Sequence, residues 1–162
     1  VNSLNAEPSL AYLAHIIVGR LESHTNAWIK GYGLKIRGAR ILMLLATWDH
    51  QRVTELADMT GIEISALSHL LTRLDHQGYI KRSKAGASAD DSRSVVISLT
   101  AKGRRVANDL LPRYRAYDER SMSGFSPEER RALKAALLRV LQNLEEAESA
   151  NGVIARRTSR MA

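Results

Sequence analysis

Cysteine is absent from this 162-residue chain. That single absence excludes disulfides, thiolate catalysis, cysteine-based zinc sites and thiol sensing of peroxide. It also suits a reducing compartment, so the cytoplasm is the expected setting. Proline occurs three times and aromatics make up 5% of residues, whereas 44% are hydrophobic, with Leu and Ala abundant. Such a balance leans towards helix and suffices for the core of one domain. No apolar run approaches the ~20 residues that span a bilayer. The longest, Ile41 to Ala46, is far too short. The N-terminus lacks a basic stretch followed by an apolar one and a cleavage site, so no secretion signal is expected.

Catalytic signatures are missing too. There is no phosphate-binding glycine loop, nucleophile elbow or zinc-helix motif. Asp90-Asp91 is an acidic pair, but in a polar loop beside Arg93 it lacks the apolar enclosure that tunes a general acid. His15 and His24 lie nine residues apart, and His50, His69 and His76 have no acidic or histidine partner at i+4. Neither an enzyme nor a metal or other cofactor is expected.

What the chain does have is unevenly placed positive charge. The net charge is +7, yet residues 1–32 balance with two basic and two acidic side chains. Residues 33–105 hold 12 Lys/Arg against 7 Asp/Glu, residues 106–148 hold 7 against 8, and residues 149–162 add three arginines. The surplus thus sits on residues 33–105 and the tail, as a polyanionic partner favours.

The middle third also has a recognisable grammar. Thr54 is placed to cap a short helix ending at Met59, Gly61 marks a turn, and a second helix runs from about Ile64 to His76. Leu67, Leu70, Leu71 and Leu74 give that helix an inward face, leaving Ser65, Ala66, Ser68, His69, Thr72 and Arg73 outward. Gly78 ends it as a left-handed cap. Strand patterns at 79–83 and 94–99 flank the polar segment Ser88-Ala89-Asp90-Asp91-Ser92-Arg93, which reads as a two-stranded wing. A helix-turn-helix followed by a charged hairpin presents one exposed helix and one basic loop to a duplex.

Helices flank this unit. Leu10, Leu13, Ile17 and Leu21 recur at helical spacing over 8–30, with Pro8 in the first turn and a break at Gly31-Tyr32-Gly33. A helix over 37–49 buries Ile41, Leu42, Leu44 and Leu45. Thr100 caps another that carries Val106, Leu110 and Leu111, and that bends or resumes beyond Pro112. Ser126-Pro127-Glu128-Glu129 starts the last helix, which presents Leu133, Leu137, Val140, Leu141 and Leu144. From Ser149 the tail offers little to bury. Apolar faces at both chain ends need a cover, and a second copy of the chain supplies one by two-fold symmetry. A homodimer with two reading helices fits a palindromic site whose half-sites lie about one helical turn apart.

Asp91-x-Arg93 followed by Ile97-Ser98-Leu99-Thr100-x-x-Gly103 resembles the wing signature of MarR-type regulators. Ser68-x-x-x-x-Arg73-Leu74-x-x-x-Gly78-Tyr79-Ile80-x-Arg82 looks like that family's recognition helix and its exit. The resemblance covers roughly residues 10–147. It implies a mainly α fold: a winged helix-turn-helix core (33–103) with a two-stranded wing, between dimerisation helices at 1–32 and 104–148, and a basic tail at 149–162. It further implies a homodimer on double-stranded operator DNA, usually repressing, and often released by a small anionic aromatic or phenolic effector. A winged helix serving as an architectural or protein-interaction module is the alternative.

Candidate DNA contacts are Ser65, Ala66, Ser68, His69 and Arg73 on the reading helix, with Arg37, Lys81, Arg82 and Lys84 as phosphate contacts. His69 stands near where relatives often carry a basic residue. Arg93 suits a narrow minor groove, and Asp91 orients it through a charge-assisted hydrogen bond. For an effector, His15, Arg20, His24, Trp28, Arg40 and Trp48 fall where similar proteins hold their ligand, an arginine for a carboxylate and an indole for a ring.

Overall fold

The structure is a computed structural model that describes residues 7–84 and 95–150. Six helices and a small sheet follow one another as α1 (Leu10–Ile29), α2 (Ile36–Thr47), β1 (Gln51–Arg52), α3 (Val53–Thr60), α4 (Ile64–His76), β2 (Ile80–Lys84), β3 (Val95–Leu99), α5 (Ala101–Ser121) and α6 (Pro127–Ala150). A 3-10 turn, Lys30–Tyr32, joins α1 to α2. The mainly α fold class and the helix-turn-helix with its hairpin are as the sequence leads one to expect.

One core serves the winged unit. Ile41, Leu42 and Leu45 of α2 meet Leu56 of α3, Leu67, Leu71 and Leu74 of α4, Ile80 and Ile97 of the sheet, and Leu110 of α5; all are buried. Leu44 and Leu70 were expected among them but are only half-buried, because each lies one helical position off its helix's inward stripe.

Other local expectations are corrected. The wing hairpin is part of a three-stranded antiparallel sheet of order β1-β3-β2, with Gln51 opposite Ile97 and Arg52 opposite Val96. A two-residue strand is too short to show alternation, so its existence depends on the partner edge. Thr54 does not cap α3. The cap lies two residues earlier, at Arg52, where the Glu55 carboxylate accepts a hydrogen bond from the Arg52 backbone N–H at 2.8 Å. Pro8 precedes α1 instead of joining it, and Ser9 is the cap, accepting from the Tyr12 N–H at 3.2 Å. Beyond Pro112, α5 simply continues as one helix.

The exit of α4 is tied down on several sides. Gly78 takes φ 72°, a left-handed conformation that glycine adopts without steric cost. The Thr100 hydroxyl donates to the Gly78 carbonyl at 2.6 Å, and Lys102 Nζ donates to the Gln77 carbonyl at 2.8 Å. Gln77 Nε2 donates to the Gly33 carbonyl at 3.1 Å, and the Tyr79 hydroxyl donates to the Tyr32 carbonyl at 2.6 Å. These bonds fix the outward helix of the turn against both the α1–α2 junction and the start of α5.

The flanking helices are different. Leu10, Leu13 and Ile17 of α1 and Leu133, Leu137, Leu141 and Leu144 of α6 all lie exposed on this single chain, Ile17 and Leu144 each at 57%. Both stripes hold their helical spacing and neither is covered by the rest of the described residues. No described helix is long and apolar enough to cross a membrane.

Candidate nucleic-acid interface

The outward face of α4 is polar and accessible. Ser65, Ala66, His69, Thr72 and Arg73 are exposed and Ser68 is half-buried. Two of its hydroxyls are turned onto the helix: Ser68 Oγ donates to the Ile64 carbonyl at 2.8 Å and Thr72 Oγ1 to that of Ser68 at 2.9 Å. Each keeps a lone pair able to accept from a base amino group, whereas a phosphate, which only accepts, would need the hydroxyl proton turned outward. The first turn is closed by Glu63, whose carboxylate accepts from the N–H groups of Ser65 (3.0 Å) and Ala66 (3.2 Å) and from the Ser65 hydroxyl. Ser65 therefore meets a duplex with its own hydroxyl proton engaged. Glu63 was not among the expected site residues, although an acidic residue just before a helical pattern is a capping signal.

Beside α4 the start of α2 adds cations. Lys35, Arg37, His69 and Arg73 line one groove of about 340 Å³, floored by Ile36, Ile62, Ala66 and Leu70. Among the described residues, Lys35, Arg37 and Arg73 have no ion-pair partner. Lys35 was missed by the sequence reading; the alternation Lys35-Ile36-Arg37 at a helix start was the available signal. The arrangement suits a phosphate held beside a helix lying in the major groove.

The strand charges divide. Lys81 and Lys84 are exposed and have no ion-pair partner among the described residues. Arg82 is exposed too but is held against α4: its Nη2 donates to Thr72 Oγ1 at 2.9 Å and its Nε lies 3.5 Å from the Asp75 carboxylate, strapping β2 to α4. Arg93 and Asp91 lie outside the described residues, as does the tail from 151.

Of the six residues expected to gather around an effector, five form two groups instead of one and His15 joins neither. Arg20, His24 and Trp28 lie together on α1 facing Tyr117 of α5. The His24 ring stacks on Tyr117 with centroids 4.3 Å apart, and Trp28 meets His24, Tyr117 and Tyr114 edge-on. Arg40 and Trp48 instead line a cleft of about 770 Å³. Its walls come from α2 (Arg37, Met43, Leu44), the end of α3 (Met59), the α3–α4 turn (Ile62, Glu63) and α5 (Leu111, Tyr114). That volume lies in the range of small-molecule sites, and the lining is mostly apolar with a few charged groups. Arg40 pairs across its mouth with Glu22 of α1 at 3.2 Å. Burial pushes the Tyr114 hydroxyl above its ordinary value, against the opposing influence of Thr25 and Arg40. His15 lines neither space. Among the described residues, no cluster of three or more His or acidic side chains is placed to hold a metal.

Comparison with known proteins agrees with this geometry. The family model for the MarR family matches residues 36–95. The chain is 31% identical over 122 residues to the uncharacterised HTH-type transcriptional regulator YfiV of Bacillus subtilis (strain 168), covering 75% of this chain and 74% of that protein. Several other curated relatives are longer, and the chain spans between 50% and 64% of them. Among solved structures, a MarR-family transcriptional regulator from Silicibacter pomeroyi is 32% identical, with a TM-score of 0.70, covering 82% of this chain and 88% of that one. The fold is also that of S. aureus MepR in its complex with DNA (TM-score 0.75, 21% identity, 85% and 99% covered).

Proposed function

The chain belongs to the MarR family of winged helix-turn-helix transcriptional regulators, and on that premise we propose a sequence-specific repressor that binds a palindromic operator as a homodimer. One observation carries the reading: the exposed polar face of α4 is bordered by cations without ion-pair partners among the described residues, Lys35, Arg37 and Arg73. The helix face reads base edges through Ser65, Ser68, His69 and Arg73, while Lys35, Arg37, Lys81 and Lys84 take phosphates. Arg93 enters the minor groove, with Asp91 orienting it. Arg82 serves mainly by holding β2 against α4. The exposed stripes of α1 and α6 pair with those of a second subunit. A small anionic aromatic ligand enters the cleft beside Arg40 and Trp48 and lowers operator affinity.

The test begins with a duplex selected by the protein from a random pool. A bound, labelled copy is challenged with the unlabelled duplex and with a scrambled version of it. The proposed repressor yields only to the first. Equal displacement by both would contradict sequence-specific reading and favour an architectural role. If the dimer makes 6–10 phosphate contacts, affinity falls by about 10³–10⁵ between 50 and 200 mM salt.

A further inference from the structure

The cationic groove and the apolar cleft share a wall. Arg37, Ile62 and Ala66 line both, so the side chain of Arg37 stands on the ridge between the surface offered to DNA and the space offered to a small molecule. The charges within the cleft are not equivalent. Arg40 is neutralised by Glu22 at 3.2 Å, and Glu63 is engaged by the N–H groups that open α4. Arg37 is exposed and has no ion-pair partner among the described residues. It is the cleft's guanidinium left without a counter-charge.

We infer that Arg37 is shared between operator and effector: a DNA phosphate engages it from the outer groove, and an aromatic carboxylate in the cleft withdraws it to the inner side. This rests on the proposed reading of α4 as the DNA-facing helix and of the cleft as the effector site, and it adds a mechanism of release. One guanidinium cannot satisfy a phosphate and a carboxylate on opposite sides of a ridge with full geometry. Binding of either ligand therefore weakens the other, and the coupling is reciprocal. The cleft's walls suit an aromatic ring: Met43, Leu44, Met59 and Leu111 surround it, with Trp48 at one end. A negative charge is required of the ligand, because an uncharged ring would fill the cleft without drawing Arg37 from the duplex. Lys35 is the informative neighbour, since it lines the outer groove with Arg37 but not the cleft.

The experiment uses the full chain, the selected duplex, naphthoate as the anionic probe and naphthamide as its uncharged counterpart. DNA affinity is read by fluorescence anisotropy with and without saturating probe, and probe binding by calorimetry. In the wild type, naphthoate binds and lowers DNA affinity, whereas naphthamide leaves DNA affinity unchanged. Arg37→Gln lowers DNA affinity about tenfold, weakens naphthoate by a similar factor, and makes the remaining DNA affinity indifferent to naphthoate. Lys35→Gln weakens DNA comparably yet keeps the naphthoate response. Both side chains are exposed, and an unchanged circular dichroism melt confirms that the variants fold. If Arg37→Gln keeps the full naphthoate-induced loss, Arg37 is not shared, although the effector cleft and the DNA face stand. If naphthamide releases DNA as well as naphthoate does, the charge-withdrawal mechanism is overturned. Wild-type protein that binds the duplex but not naphthoate overturns both this inference and the acidic-effector reading.

Discussion

Gly103 is glycine because nothing larger fits. A Cβ at that position would lie 1.9 Å from the Tyr79 carbonyl oxygen and 2.9 Å from its carbonyl carbon. The start of α5 is thereby pressed against the exit of α4, where the Thr100 N–H also donates to the Tyr79 carbonyl at 3.0 Å. Gly103→Ala must push these elements apart, and overpacking of this kind costs about 1–3 kcal/mol or more. Its thermal midpoint should fall by several degrees; a midpoint equal to wild type would mean that the two elements are not in contact in solution. Tyr32 gives a second prediction at this scale. Its hydroxyl donates to the Asp109 carboxylate, and that bond, with burial and the nearby negative charge, raises its pKa above the ordinary tyrosine value. The folded state therefore holds the phenolic proton more tightly than the unfolded chain. The resulting stabilisation is complete below the ordinary value and is lost as pH rises through the folded one. Alkaline denaturation should be steeper for wild type than for Tyr32→Phe, and matching pH profiles would remove the bond from the account.

At the scale of elements, α5 carries its proline in the open. Pro112 is exposed in a helix that runs unbroken from Ala101 to Ser121. A proline interior to a helix forgoes one backbone hydrogen bond and crowds the preceding turn, at about 3 kcal/mol relative to alanine. Since its ring makes little buried contact, Pro112→Ala should raise the thermal midpoint. A lower midpoint would show the ring packing against something, with a second subunit the obvious candidate. The elements also show how far the sequence could be read. Helices α1 to α6 were legible because apolar residues recur at helical spacing, and caps such as Thr100 and Ser126 stand before two of them. What escaped was whatever depends on a distant partner. Gln51 and Arg52 form a strand only because Val96 and Ile97 lie alongside. Arg82 reads from sequence as one more basic strand residue, but its partners Thr72 and Asp75 lie on α4, out of reach of any local pattern. The supposed effector set divided because Arg20, His24 and Trp28 share one stripe of α1, whereas Arg40 on α2 and Trp48 just past its end line a separate cleft. Periodicity says which residues share a helix face, but not which neighbouring element that face meets.

At the scale of the whole molecule, the apolar stripes of α1 and α6 require a cover. Leu137 is 47% exposed in the single chain and lies near the middle of the α6 stripe. In the proposed dimer it is desolvated against the partner, so a carboxylate there would be buried without a counter-charge. Leu137→Glu should yield folded monomers in sedimentation velocity and lose high-affinity operator binding, because one reading helix alone forfeits half the site. A variant that stays dimeric would place the seam elsewhere. The most direct test of the central claim is a hydroxyl-radical footprint of the wild-type protein on its selected duplex. Two protected blocks are predicted, equal in extent, related by a two-fold axis and centred about one helical turn apart. A single block, or even protection without symmetry, would contradict a dimer reading two half-sites.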